Sequence, residues 1–394
     1  MPFFSKIGDD AITGEITYTN RSLVRNRLTG RLWATYTKEI KRWIDYEEND
    51  YAISRQVIAA YSDDDGRTWT SEVAYHSSEV YSNYYGLAYP VICAQDDDTV
   101  HIFFLGPTWG EVLHYSKRTA PNTWVTEAWV NCDDYCPTMV ALGPDDSVYV
   151  GCGNSSEMYL RVYSEGTCGD FETVPVVTGG FFDLDVDSLS QPHFIYRTQG
   201  GFTSTSLRTH YHVAKIDGAW VTSVIYAGNH GTSNVTIHAG CSGVWSCWQE
   251  QIPGVNFVSR LRVHRYINGA WVDHGHVIDE TTSGGAFTRA NLPSVSNDGP
   301  NGIRIYFYDG GGGAYIGKVC WSEGSGWGEP EKIDLDPLYY RVVASAARYS
   351  PMFAFQCVNP NLYDDPNVEY ATDYSRYFYS DIDSRGRCFG TIIG

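Results

Sequence analysis

Residues 61–73 read YSDDDGRTWTSEV, with three aspartates, a glycine and a threonine between a tyrosine and a tryptophan. Such a stretch can be a metal loop, a catalytic acid cluster, or a turn that happens to be acidic. The residue types favour the turn. Asp64 can accept hydrogen bonds from the N–H groups that follow it, as in an Asx turn. Gly66 tolerates a positive φ. Trp69 opens the next strand and can bury its ring against a neighbouring sheet. Calcium is the one ion the loop could hold, through Asp63 and Asp65. Otherwise the sequence calls for no metal and no cofactor.

The same pattern recurs along the chain. LHYSKRTAPNTWVTEAWV, RVYSEGTCGDFETVPVV, VAKIDGAWVTSVIY, VHRYINGAWVDHGHVI, VCWSEGSGWGEPEKI and FYSDIDSRGRCFGTII each hold an apolar run, a polar turn, an aromatic and a second short run. The aromatics are Trp69, Trp124, Phe171, Trp220, Trp271, Trp327 and Phe389, spaced 47 to 62 residues apart. Between them lies a second repeated hairpin, as in YPVICAQDDDTVHIFFL and CPTMVALGPDDSVYVGC. Period-two runs joined by Asp/Gly/Pro turns are β-hairpins. Two hairpins per repeat predict an all-β, seven-bladed β-propeller over residues 1–394, with four antiparallel strands per blade and a six-bladed ring as the alternative. Residues 1–20 either complete the last blade or contact a neighbour.

Ser62, Asp64, Gly66, Thr68 and Trp69 fill every specified position of S-x-D-x-G-x-T-W. The chain thereby resembles the BNR/Asp-box propellers, sialidases among them. Degenerate copies begin at Ser116, Ser164, Ser322 and Ser380, extending the resemblance over most of the chain. The resemblance implies a structural role for the five residues. It also implies a sialidase-type set of three arginines, a Tyr–Glu pair and an acid. Arg25 or Arg27, Arg289 and Arg341, Tyr339 or Tyr340, Glu47 or Glu48, and Asp133 or Asp134 could supply that set. The family's Arg-Ile-Pro signature is absent, so no catalytic role is carried over.

Composition narrows the function classes. Asp and Glu total 47 against 28 Lys and Arg, a formal charge of −19. Phosphate binding needs basic surface, so nucleic acid is excluded as a partner. No run approaches the roughly 18 apolar residues of a membrane span, and the opening residues lack the charged and apolar regions of a signal peptide. None of the 10 cysteines forms a C-x-x-C pair. Cys93, Cys152, Cys320 and Cys357 read as buried thiols, while Cys132/Cys136 and Cys241/Cys247 are close enough to be disulfide candidates.

Strands running up and down place short turns at one end of a propeller and the remaining connections at the other. The connections 38–54, 76–88, 197–209, 250–258, 279–291, 335–343 and 358–369 read as long loops at one end, and long loops carry function more often than tight turns. They hold Trp43, Tyr46, Tyr84, Tyr85, Asp134, Arg289, Tyr339 and Arg341 as candidate binding residues. Rings stack on sugar faces, and charged groups take hydroxyls or carboxylates. The same residue types suit a protein partner. His230, Arg289, Arg341, Tyr340 and Asp133 are the candidate catalytic residues, with His230 or a tyrosine as the base of a polysaccharide lyase. The expected function is a non-catalytic, sialidase-like glycan-recognition or structural module, such as a virion tail or appendage protein at an extracellular surface, held in a symmetric assembly. The alternative is a glycan-cleaving enzyme, either a sialidase-type hydrolase or a lyase.

Overall fold

The computed structural model describes residues 3–11, 21–45, 50–77, 88–106, 112–131, 138–153, 157–176, 182–198, 208–228, 231–240, 242–251, 259–278, 290–298, 301–309, 315–333, 344–346, 352–358 and 374–380. No helix occurs among them. The strands are β1 (Phe3–Ala11), β2 (Leu23–Arg25), β3 (Leu32–Asp45), β4 (Asp50–Ser62) and β5 (Thr70–His76), then β6 (Ala88–Ala94), β7 (Val100–Leu105), β8 (Val112–Ala120) and β9 (Thr123–Asn131). A third group follows: β10 (Thr138–Leu142), β11 (Val148–Gly153), β12 (Met158–Ser164), β13 (Thr167–Cys168) and β14 (Glu172–Val174). Next come β15 (Phe182–Val186), β16 (Pro192–Arg197), β17 (Arg208–Ile216), β18 (Ala219–Gly228), β19 (Gly231–Gly240), β20 (Gly243–Gln251), β21 (Ser259–Ile267) and β22 (Ala270–Ile278). The last are β23 (Ala290–Asn297), β24 (Gly302–Asp309), β25 (Tyr315–Ser322), β26 (Gly326–Trp327), β27 (Glu331–Ile333), β28 (Ala344–Ala346), β29 (Met352–Val358) and β30 (Tyr374–Ser380).

These strands form six antiparallel sheets. Five are meanders in chain order: β6–β9, β10–β13 with β14 on β12, β15–β18, β19–β22, and β23–β26 with β27 on β25. The remaining sheet, counted as the first in chain order with the five meanders as second to sixth, holds β28-β29-β30-β1-β3-β4-β5, with β2 on β3. It consists of two four-stranded runs that meet where Ala11 pairs with Lys38. Innermost strands touch in the order β2, β6, β10, β15, β19, β23 and β28, so the sheets succeed one another around an axis. This arrangement is a β-propeller.

The repeat aromatics hold successive sheets together. Trp124 packs on Trp33, Val57, Ile102 and Phe104, and its Nε1–H donates to Glu72 Oε2 of β5 at 3.0 Å. Trp220 packs with Leu184 and Phe194 and donates to Glu172 Oε1 at 2.8 Å. Trp271 packs with Ile237 and Trp248 and donates to Ser223 Oγ at 3.3 Å. Each ring fills the seam between two sheets, while its N–H finds an acceptor on the sheet before it.

One arginine crosses the centre. Arg21, just before β2, is buried and donates to both carboxylate oxygens of Asp183 on β15 at 3.1 and 3.2 Å. Its Nη2 also donates to Leu184 O at 2.7 Å and Ile237 O at 3.1 Å. Asp183 Oδ2 accepts Thr236 Oγ1 at 3.0 Å and Ile237 N at 2.9 Å. Ile92 N donates to Arg21 O at 2.9 Å, so one residue ties four sheets.

Three expectations change here. Residues 38–54 are not a long loop. β3 and β4 continue as a hairpin, paired from Lys38–Gln56 to Asp45–Asp50, past the point where β5 ends its pairing at Gln56–His76. The strand beside β30 is β1 from the N-terminus, whereas the sequence assigns the last outer hairpin to 378–393. Residues 381–394, Phe389 included, lie outside the described residues. Cys247 is a free, buried thiol, so the Cys241/Cys247 bridge is not formed. Cys132 and Cys136 lie outside the described residues.

Candidate functional site

At the short-turn end, Ser62 Oγ donates to Asp64 Oδ1 at 2.7 Å and accepts Gly66 N at 2.8 Å. Asp64 Oδ1 accepts Arg67 N at 3.0 Å and Thr68 N at 2.9 Å, and Thr68 Oγ1 donates to Oδ2 at 2.7 Å. The bonds from Thr68, with those from Ser62 and Arg67, hold the Asp64 carboxyl at about 2. Asp65 and Gly66 both adopt positive φ, 58° and 87°.

The flanking aspartates are engaged. Asp63 takes Arg31 Nε at 2.6 Å, and Asp65 takes Arg25 Nη2 at 2.8 Å. Arg27 reaches Asp96 at 3.0 Å and Asp146 at 3.2 Å, while Arg31 also pairs with Asp98. Arg25 and Arg27 therefore do not join a carboxylate-binding set in a funnel. They neutralise turn aspartates of three successive sheets. The calcium reading of Asp63 and Asp65 fails for the same reason, since arginines already occupy both carboxylates. Among the described residues no group of three or more His, Cys, Asp or Glu could hold a metal ion.

The opposite end is cationic in the fourth and fifth sheets. Arg197 ends β16 and Arg208 begins β17, on either side of residues 198–207. Both are buried. Burial, and then repulsion from Arg208, brings the Arg197 guanidinium down to about 10. His210, paired across the ladder with both Arg197 and Tyr226, stacks on Trp248 at 4.3 Å. Trp248 stacks in turn on His264 at 4.8 Å.

Glu250, fully buried near the end of β20, organises the rest. It accepts Tyr226 Oη at 3.0 Å, Arg260 Nε at 3.1 Å and a bond from His276. Arg262 lies 3.9 Å from it, pairs with Asp273, and sits 4.4 Å over the Tyr226 ring. Burial works to raise Glu250. The bonds from His276 and Tyr226 and the charges of His276 and Arg260 more than offset it, holding the carboxyl at about 2. Burial raises the Tyr226 phenol, with the Glu250 charge, to about 12. Burial lowers His210 to about 3 and His264 to about 4, so both imidazoles are neutral. Arg260 and Arg262 thus face Glu250 and Asp273, while Arg197 lies near Arg208 and opposite His210 one sheet earlier.

The carboxyl of Glu250 titrates lower in the folded chain than its ordinary 4.5, so its contribution is present above pH 4.5 and lost as pH falls towards 2. A shift of this size corresponds to roughly 3 kcal/mol. Thermal melts from pH 6 to 3 are expected to fall more steeply for the wild type than for Glu250→Gln, which starts lower. Parallel curves would refute this role.

The sequence places its candidates elsewhere. Asp133, Asp134, His230, Arg289, Tyr339, Tyr340, Arg341, Tyr46, Tyr84 and Tyr85 lie outside the described residues. Trp43 stands in β3 directly opposite Tyr51 of β4. The residues that sequence reasoning misses are Arg197, Arg208, Tyr226, Glu250, Arg260 and Arg262. Their signal is a charged residue at alternate positions of an apolar strand, as in RTHYHV (208–213) and SRLRVH (259–264).

No protein-family model and no curated protein matches the chain. Solved structures do. A polysaccharide lyase PL25, an ulvan lyase, superposes with a TM-score of 0.61 at 11% identity, covering 89% of this chain and 92% of the lyase. The same lyase bound to -[GlcA(1-4)Rha3S]- aligns equally well, at 11% identity, the same coverage and a TM-score of 0.61. The polysaccharide lyase Uly1 gives 0.52 at 8% identity, covering 94% of this chain and 90% of its own. At such identities the likeness is one of fold.

Proposed function

We propose that this chain recognises an anionic glycan at the long-connection end of its fourth and fifth sheets, without cleaving it. The carrying observation is the gathering of arginines at this end, Arg197 and Arg208 in the fourth sheet and Arg260 and Arg262 in the fifth, beside the rings of Tyr226 and Trp248. Guanidinium groups take carboxylates and sulfate esters through paired, charge-assisted hydrogen bonds, and aromatic rings beside them suit sugar faces. The fold's likeness to lyases, one of them bound to a uronate-containing sulfated saccharide, supports that ligand class. Seven blades are part of this reading, counting the eight-stranded sheet as two. So is an extracellular or particle-surface location, where such glycans are met, with a symmetric assembly of several copies.

Acid–base chemistry favours binding over turnover. A general base works best with a pKa near the operating pH. His210 and His264 are weakly basic, so proton abstraction by either is slow, and Tyr226 holds its proton against Glu250. One observation favours the enzymatic alternative: the Tyr226–Glu250 pair beside arginines is an assisted nucleophile in outline.

Titration with a -[GlcA(1-4)Rha3S]- polysaccharide and a neutral glucan separates these readings. Binding to the acidic polymer alone is expected, weakening with added salt. Arg260→Ala combined with Arg262→Ala should cost about tenfold or more in affinity, on the order of 1.4 kcal/mol. Absorbance of a new unsaturated uronate, or released sugar, that disappears in Tyr226→Phe would establish the enzyme instead. Equal affinity for the neutral polymer would remove the proposal.

A further inference from the structure

The fourth sheet holds a second polar array that the glycan site does not use. Asp187 follows β15, His193 lies in β16, His212 in β17 and Ser223 in β18. His193 Nε2 is 3.3 Å from Asp187 Oδ2. His193 Nδ1 is 2.9 Å from His212 Nε2, and His212 Nδ1 is 3.3 Å from Ser223 Oγ. Hydrogen-bond chemistry gives this chain one direction. A carboxylate only accepts, so His193 carries its proton on Nε2 and accepts on Nδ1. His212 must then donate from Nε2, leaving Nδ1 to accept the Ser223 hydroxyl proton. Both histidines are buried, while Ser223 is half-buried on the outer strand between the exposed Val221 and Val224.

The repeat marks Ser223 as a departure. It is the third residue after Trp220, as Glu72 is the third after Trp69. Both accept the indole N–H of the next sheet's tryptophan. In the first sheet the acceptor is a carboxylate bonded to Arg118 at 2.8 and 3.0 Å, which suffices to join two sheets. In the fourth it is a hydroxyl backed by two imidazoles and a carboxylate, more than a seam needs.

We propose that Ser223 is a base-activated nucleophile that accepts the acyl group of a small carboxylic ester. Ser223 Oγ bonds to the ester carbonyl carbon as its proton passes to His212 Nδ1. The bond from that carbon to the alkoxy oxygen breaks, and the alcohol leaves with the proton. Water, deprotonated by the same nitrogen, then cleaves the acyl-serine to a carboxylic acid and restores the hydroxyl. Trp271 Nε1–H donates to Ser223 Oγ at 3.3 Å and fixes the side on which the hydroxyl meets His212. His193 and Asp187 are positioning residues that fix the tautomer of His212. Burial, and then the charge of His193, lowers His212 to about 3. It is thus unprotonated and ready to accept, but weakly basic, so acyl transfer is slow and labelling is the sensitive readout.

The test treats the full chain with an alkyl fluorophosphonate and maps the adduct by mass spectrometry, with p-nitrophenyl acetate for turnover. One adduct is expected, on Ser223, absent in Ser223→Ala, which should stay folded but melt somewhat lower because Trp271 Nε1–H loses its acceptor. His212→Gln should slow labelling about a hundredfold. Asp187→Asn should slow it and move its pH profile, which a merely structural aspartate would not do. If His212→Gln does not fold, Asp187→Asn decides. No adduct on Ser223 in the folded wild type, or labelling indifferent to both relay substitutions, overturns the assignment.

Discussion

Asp183→Ala is expected to lower the unfolding free energy by about 3–5 kcal/mol, because it strands a buried arginine. Arg21 has its guanidinium on Asp183 and on two backbone carbonyls across the axis, shielded from water. Removing the carboxylate leaves that charge without its counter-ion. It also removes the acceptor of Thr236 Oγ1 and Ile237 N, two donors of the fifth sheet. Denaturant melts should show the midpoint falling with little change in slope, since the surface exposed on unfolding is the same. Arg21→Met with Asp183→Leu should recover only part of the loss, because an apolar pair removes the stranded charge but leaves Thr236 Oγ1 and Ile237 N without their acceptor. A single variant within about 1 kcal/mol of wild type, typical of a surface pair, would show that the crossing is not what holds the sheets.

The fold was legible where its physics is local. Period-two runs, turns with Asp and Gly, and an aromatic in each repeat are short-range patterns, and the sheets follow them. The loop reading of 38–54 fails because KEIKRWID carries charge on both faces. Without an apolar face in the sequence, the alternation that marks a strand gives no warning. The neighbour of β30 was illegible for another reason. Phe3 pairs with Ser380 across nearly the whole chain, and nothing in FFSKIGDDA names its partner.

The candidate site was half legible. The choice of the long-connection end rests on chain geometry alone. The described residues assembled there, however, are strand residues and not loop residues. Arg208, His210, Arg260 and Arg262 alternate with apolar neighbours, and a reader seeking sites in loops passes over them. Arg25 and Arg27 were misleading in the opposite sense. Arginine beside a strand end suggests a ligand, yet the aspartates of 63–65, 96–98 and 146 are nearer partners once the turns come together.

Deleting residues 1–11 is expected to have the second large effect. β1 pairs along β30 from Phe3–Ser380 to Ala11–Tyr374, and touches β3 at Ala11–Lys38. On the seven-blade reading it is the fourth strand of the last blade, so the chain closes its own ring. Its removal would unpair one edge of β30, at roughly 0.5–1.5 kcal/mol for each hydrogen bond lost. It would also empty the place of Ile7, buried against Leu23, Leu32 and Ile58, a truncation worth about 2–5 kcal/mol. The open edge of β30 would be free to pair with another molecule. The truncated chain should therefore melt lower and elute as larger species at high concentration. Ile7→Ala should reproduce the melting loss without the association, because it keeps the edge covered. A truncated chain that melts like wild type would mean the ring closes through other strands, and β1 is an ornament on an already complete sheet.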